Sequence, residues 1–381
     1  MSTLIEFGQS VVKAASLEKK FDIDSVDRLK YRYTNWMIIG ASVFIFGKNY
    51  VGESVNCWAN NEILGAWEEY IETYCLIENT YFVPMNDSNL PVQGQRQTHE
   101  MVYYQWVPFI LLGMSLFLYL PRYLWTSMQK RLGLDLPSIT DNLRKSASKL
   151  GDEGVEKFRL QLPEMADKYG DRFGKRLASA LLITKVLSIV VIVSELVLLN
   201  TVLGSEYHFW GFGVLMDLLN GREWHTSGHF PRVTFCDVEV RQMGGIIQNW
   251  TFQCVLHVNM FNEKIFIFLW WWMMFLLVVS LSNLLSWIVR VTNGDGNIGF
   301  VKEILSYNDV SDSDNDKNMV TEFVHDVLKS DGCLVLRLIA ENATTFKAAE
   351  YVKPFWDKYR RTHSPSISDD MPKPKLVESE L

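Results

Sequence analysis

The chain has 381 residues, with 37 Lys and Arg against 44 Asp and Glu and a formal net charge of −7. That length would suit two or three soluble domains, but 13 Trp, 15 Tyr and 22 Phe accompany apolar residues gathered into long runs, which excludes that class. No nucleophile–base pairing, phosphate loop or dinucleotide fingerprint is present, so no enzyme activity, cofactor or nucleic-acid partner is expected.

Residues 1–32 are charged throughout and lack an apolar core before a cleavage site, so no signal peptide is predicted and the first span doubles as the targeting signal. Within them, Leu4, Ile5, Phe7, Val11, Val12 and Ala15 recur at helical spacing. A short amphipathic helix follows, lying on the membrane surface or folded into a central cavity; the residues alone favour the surface.

A bilayer core of ~30 Å needs roughly 20 mostly apolar residues as a helix. Stretches 33–50, 103–125, 181–203 and 265–289 are predicted as four transmembrane spans. The first is the shortest, and Gly40 and Gly47 lower its helix propensity. Lys and Arg crowd one side: Lys13, Lys19, Lys20, Arg28, Lys30 and Arg32 before the first span, Arg122, Lys130 and Arg131 after the second, Lys168, Arg172, Lys175 and Arg176 before the third, and Arg290 and Lys302 after the fourth. By the positive-inside rule both termini and the loop 126–180 are cytoplasmic, while 51–102 and 204–264 are extracellular.

The first outer loop holds Cys57 and Cys75, 18 positions apart, and the second holds Cys236 and Cys254 at the same spacing. All four fall on the oxidising side and Cys333 on the reducing side, which agrees with the orientation. Four cysteines allow three connectivities, and the spacing does not choose among them. The first loop is acidic, with Glu53, Glu62, Glu68, Glu69, Glu72, Glu78, Asp87 and Glu100 against Arg96. If they rim a pore mouth, the vestibule concentrates cations. Asn86-Asp-Ser and Asn249-Trp-Thr are candidate glycosylation sites. His225-x-x-x-His229 with Cys236 is not read as a metal site, because zinc needs three or four ligands and Cys236 is wanted for a disulfide.

Lys185 and Glu195 interrupt the third span. Lys185 is close enough to the cytoplasmic end to snorkel, whereas Glu195 is about 15 Å deeper. Glu195 is read as a buried hydrogen-bonding group facing a neighbouring helix or subunit, with a titratable gating group as the alternative. The loop 126–180 reads as a compact helical layer. Beyond it, Asn293-Gly-Asp-Gly-Asn297 reads as a turn-rich break, 319–360 as helical, and the chain from His363 onward as disordered. The fold class is therefore an all-α polytopic membrane protein, with four transmembrane helices, a disulfide-stapled extracellular cap and a helical cytoplasmic domain.

The second span opens with Tyr103, Tyr104, Gln105, Trp106, Val107 and Pro108. Aromatic residues belong at the membrane interface, and Pro108 kinks the helix or marks its start. This string resembles the signature of innexins, the invertebrate gap-junction proteins. The two cysteines per outer loop, Thr80–Pro84, Trp224–Cys236 and Glu263–Trp270 agree with it over roughly residues 20–305. The resemblance implies cross-loop pairing, Cys57 with Cys254 and Cys75 with Cys236. It also implies a homo- or hetero-oligomeric ring, octameric in that family, which sits in membrane lipid and docks with a matching hemichannel on an adjacent cell at a plasma-membrane gap junction. In that family the N-terminal helix folds into the pore, which would set Ser2, Thr3, Glu6 and Gln9 against water, with Glu53 at the mouth. An undocked hemichannel releasing small molecules and a non-conducting four-span adhesion or scaffold protein are the alternatives.

Overall fold

The computed structural model describes residues 21–52, 54–59, 65–78, 80–83, 90–92, 96, 100–132, 136–148, 175–202, 213, 216, 230–241, 244–307 and 314–363. Ser2, Thr3, Glu6, Gln9, Glu53, Asn86, His225 and His229 lie outside the described residues. The chain divides into two compact units, one of 29–123 with 184–284 and one of 1–28, 124–183 and 285–381.

Among the described residues, three helices are long and apolar enough to cross a membrane: α3 (Tyr103–Arg131), α5 (Arg176–Val202) and α6 (His257–Thr292). At 1.5 Å per residue, the 36 residues of α6 extend about 54 Å, well beyond a bilayer core. The stretch expected to be the first span differs from these. Its α-helix, α1 (Asn35–Tyr50), has 16 residues, and a π-helical segment, Leu29–Thr34, precedes it after a short turn of α-helix, Ser25–Arg28. The π-helix takes up Tyr33 and Thr34, so the α-helix begins at Asn35 and is shorter than the expected 33–50.

The expectation of an all-α fold is corrected in segments 51–102 and 204–264. A sheet of five strands is present among the described residues, ordered β1-β5-β4-β2-β3. Its strands are β1 (Val55–Cys57), β2 (Thr80–Tyr81), β3 (Glu100–Met101), β4 (Val233–Arg241) and β5 (Ile247–Leu256). Strands β4 and β5 pair antiparallel from Val233↔Val255 to Arg241↔Ile247, and Gly244 (φ 109°) and Gly245 (φ 83°) supply the left-handed backbone of the connecting turn. The segment Val233-Thr-Phe-Cys-Asp-Val-Glu-Val alternates with period two: Thr234, Cys236 and Val238 are buried, while Phe235 and Asp237 are half-buried and Glu239 is exposed. The helix α2 (Gly65–Glu78) contributes buried Ile71 and Cys75 to the same apolar cluster.

The other unit is helical among its described residues: α4 (Leu136–Ser148), α7 (Gly294–Ser306), α8 (Asp314–Phe323), α9 (Lys329–Asn342) and α10 (Thr345–His363). They share one core with Phe21, Ile23, Trp125, Leu177 and Trp287. Its polar joints join residues distant in sequence. Asp331, buried in α9, accepts from the amides of Leu177 and Ala178 at 3.2 and 2.9 Å, satisfying donors that the first turn of α5 leaves free. Asn342 exchanges two hydrogen bonds with the backbone of Asp22, and Trp287 Nε1 donates to Asp24 at 2.8 Å. The predicted break at Asn293 proves to be a cap: Asn293 accepts from the Gly296 amide at 3.1 Å and α7 begins there.

Candidate functional site

The sheet joins the segments 51–102 and 204–264 twice. Cys57 and Cys254 are direct cross-strand partners in the β1–β5 ladder, bonded at 2.04 Å with their Cα atoms 3.9 Å apart. Cys75 of α2 is bonded to Cys236 of β4, Cα–Cα 5.8 Å. Cys254 and Cys236 share the buried face because both lie in register with its period-two alternation: Cys254 opposes Thr234, and Cys236 opposes Phe252. All four cysteines are buried. The two bridges also adjoin one another, since the sulfurs of Cys57, Cys75 and Cys254 all lie within 4.8 Å of each other.

The bridges span 197 and 161 positions of chain. In the chain-entropy view, closing loops of that length is worth about 5 kcal/mol each. Helices that already anchor the ends of the two segments take up part of that entropy, so the larger effect of the bridges is geometric. They hold α2, β1, β4 and β5 as one layer.

The opposite face of the sheet carries a polar tie between the same two segments. Arg96 Nη1 donates to both carboxylate oxygens of Asp237, at 2.8 and 2.9 Å, and Arg96 Nε donates to the carbonyl of Pro91 at 2.7 Å. Asp237 also accepts from Thr251 Oγ1 at 2.7 Å and from the Tyr81 hydroxyl at 3.1 Å. The Arg96 guanidinium lies 5.7 Å from the centre of the Tyr81 ring. Burial, reinforced by the Asp237 charge, pushes the Tyr81 phenol up to about 12, and the hydrogen bond to Asp237 raises the Arg96 guanidinium above its ordinary value. Arg96 is the one Lys or Arg among the acids of segment 51–102. Its partner Asp237 escaped the sequence reading, although an acid at an outward position of a period-two strand is a visible signal.

The signature residues sit where α3 meets α2. Tyr104 is fully buried, and its hydroxyl donates to the carbonyls of Leu76 and Cys75 at 3.4 and 3.5 Å. Gln105 Nε2 donates to the carbonyls of Leu76 and, at 3.3 Å, Ile77. These are among the last carbonyls of α2, which its own helix cannot satisfy, so the signature caps the helix that carries Cys75. Tyr103 packs edge-on against Phe230 at 5.8 Å, Val107 is buried, and Trp106 is 57% exposed beside Phe109.

Pro108 is inside α3. It has no amide proton, so the carbonyl four residues back, Tyr104, loses its helical donor. Asn49 Nδ2 fills that position at 3.1 Å, and Ser42 Oγ donates to the Pro108 carbonyl at 2.7 Å. Ser42 and Asn49 lie two turns apart on one stripe of α1, so the proline provides two polar contacts between the helices.

Within the spans, Lys185 is buried and donates to Asn283 of α6 at 2.8 Å. Glu195 is 2% exposed, and neither carboxylate oxygen has a hydrogen-bond partner among the described residues. That burial puts Glu195 in the interior of the single chain rather than on its outer surface. Lys30 Nζ reaches Ser188 at 2.9 Å, and Trp272 Nε1 donates to Thr34 at 2.9 Å, so the π-helical segment is bound to α5 and α6. Asn249 is exposed on β5 opposite Glu239.

Comparison with known proteins agrees with this arrangement. The Innexin family model matches residues 23–359. Innexin-17 of Caenorhabditis elegans is 41% identical over 352 residues, covering 90% of this chain and 96% of that protein. Innexin-16 of the same organism is 41% identical over 338 residues (88% and 89%), and Innexin-3 is 37% identical over 358 (90% and 84%). A match across nearly the whole length, joined to two buried bridges and the capped signature helix, makes this chain a member of the innexin family.

Proposed function

We propose that the chain is a gap-junction channel subunit, one of a ring that forms an intercellular pore for ions and small metabolites. Family membership carries this reading. The sheet with its two cross-segment bridges supports it, since a covalently held cap is what two cells need to present to each other. The ring is octameric, homo- or heteromeric, and embedded in plasma-membrane lipid. Four spans cross the bilayer, the first formed by the helical stretch from Ser25 to Tyr50 with its π-helical segment, the others by α3, α5 and α6.

Both termini and 126–180 face the cytoplasm, while 51–102 and 204–264 face outside, as the basic flanks support. The N-terminal segment lines the pore with Ser2, Thr3, Glu6 and Gln9. Glu53 stands at an acidic mouth that favours cations, and Asn86 and Asn249 accept sugar. As an innexin, the chain acts as a channel subunit rather than as an enzyme. Recording from paired cells beside single cells tests this. Junctional current between two expressing cells supports docking, current confined to single cells points to an undocked hemichannel, and neither current with normal surface expression overturns the proposal.

A further inference from the structure

The two disulfides adjoin, and that adjacency has a chemical consequence. Cys75 Sγ lies within 4.8 Å of both sulfurs of the Cys57–Cys254 bridge. A thiolate attacks a disulfide sulfur at short range, and the rate depends on access and on thiolate character. Cys236 and Cys254, for their part, are diagonal neighbours on the same buried face of β4 and β5, because Cys254 opposes Thr234 and Cys236 opposes Phe252. Three sulfurs, those of Cys57, Cys75 and Cys254, are thus mutually close, and Cys236, bonded to Cys75, occupies the strand position diagonal to Cys254.

We propose that this group of cysteines is an exchange site: an external low-molecular-weight thiol converts the cross-segment pairing into within-segment pairing, and so removes the covalent tie between the two segments. The steps balance without net oxidation or reduction. The external thiolate attacks Cys236 Sγ, forming a mixed disulfide and releasing the Cys75 thiolate. Cys75 attacks Cys57 Sγ, forming Cys57–Cys75 and releasing the Cys254 thiolate. Cys254 then attacks Cys236 Sγ of the mixed disulfide, forming Cys236–Cys254 and regenerating the external thiolate. Two disulfides exist before and after, and the thiol acts as a catalyst. Burial of all four cysteines makes the first attack the slow one, so the sheet stays cross-linked until its edge opens.

The consequence for the channel is specific. In the observed pairing, α2 and β1 are covalently bonded to β4 and β5; in the exchanged pairing each segment is cross-linked only to itself, and the ties left between them are non-covalent: the β1–β5 and β2–β4 ladders and the contacts of Asp237 with Arg96 and Tyr81. The device is thus a thiol-sensitive loosening of the sheet, which is then held by hydrogen bonds and side-chain contacts alone.

The test uses the full chain in membranes. The protein is exposed to substoichiometric glutathione, alkylated under acid quench, digested without reduction and mapped by mass spectrometry. The expected result is growth of Cys57–Cys75 and Cys236–Cys254 peptides at the expense of Cys57–Cys254 and Cys75–Cys236, with the total number of disulfides unchanged. A second arm uses Cys236→Ser, which leaves Cys75 without its partner. Cys75 should then be found bridged to Cys57 or Cys254 in part of the protein, whereas in Cys75→Ser the Cys57–Cys254 bridge should persist. Cross-segment peptides accompanied only by alkylated free thiols, in the wild type or with Cys75 wholly free in Cys236→Ser, would overturn the proposal. If Cys236→Ser fails to fold, the wild-type arm decides alone.

Discussion

Asn49 donates its side-chain amide to the carbonyl of Tyr104 at 3.1 Å, the acceptor that Pro108 deprives of its helical donor. A proline in a helix interior normally leaves such a carbonyl unsatisfied, which is costly where no water is available to replace the bond. Here the vacancy fixes a neighbouring helix at a defined height. The signature motif therefore acts through what it omits as well as through what it presents.

The pair gives a double-mutant cycle. Asn49→Ala should lower stability by about 1 kcal/mol, the usual worth of one such hydrogen bond in or near a membrane. Pro108→Ala restores the helical donor, so the same Asn49→Ala change in that background should cost markedly less. Thermal unfolding in detergent of the four proteins measures the coupling. Equal costs in both backgrounds would show that Asn49 does not serve the proline vacancy.

Tyr81 predicts an alkaline limit for the cap. Its phenol is neutral when protonated, and burial with the Asp237 charge raises it from 10.0 to about 12. Between these values the unfolded chain releases the proton and the folded cap retains it. The stabilisation is complete below pH 10 and is lost as pH rises through 12. Tyr81→Phe should remove this slope, as read by cap unfolding followed against pH, while an unchanged slope would assign it to another group.

Glu195 tests what a buried carboxyl without a hydrogen-bond partner among the described residues costs. A group of this kind is destabilising relative to a well-packed apolar residue of similar volume. Glu195→Leu should match the wild type or exceed it by about 1 kcal/mol in detergent melting. A clear loss of stability would show that the carboxyl finds a partner in the assembled ring that one chain does not contain.

Cys333 should be inert. It is buried in the helical unit, and burial pushes its thiol up to about 11, with the Arg337 charge opposing only in part. At neutral pH its alkylation should be on the order of 100-fold slower than that of an exposed cysteine, since the thiolate is the reactive form. Labelling of the folded protein with maleimide, quantified by mass, checks this. Rapid labelling would mean that α9 opens readily.

Much of the fold was legible because each feature rests on a strong, local physical demand. Three long apolar runs had to be helices, and α3, α5 and α6 are. The first span was harder, because a π-helical segment is set by contacts such as Lys30 with Ser188 and Trp272 with Thr34, which no local periodicity records. The sheet is harder to read, because only β4 carries a period-two alternation long enough to signal a strand. Strands as short as Val55–Cys57 and Thr80–Tyr81 exist only because distant strands pair with them. The signature string was visible as a motif, but its work could not be read from the string. Tyr104 and Gln105 cap a helix some 30 residues earlier in the chain, and Asn49 answers a proline that follows it by 59 positions. Asp331 is the extreme case, an acid whose helix end lies 153 residues away.

The central claim, that a covalently tied cap lets two copies of this channel meet across a cell gap, is tested most directly by junctional conductance in paired cells. Wild-type pairs should couple. Pairs in which one cell carries Cys57→Ser with Cys75→Ser, at equal surface expression, should lose coupling while that cell keeps its protein in the membrane. Absence of coupling between wild-type cells, or coupling unaltered when both bridges are gone, would contradict the account.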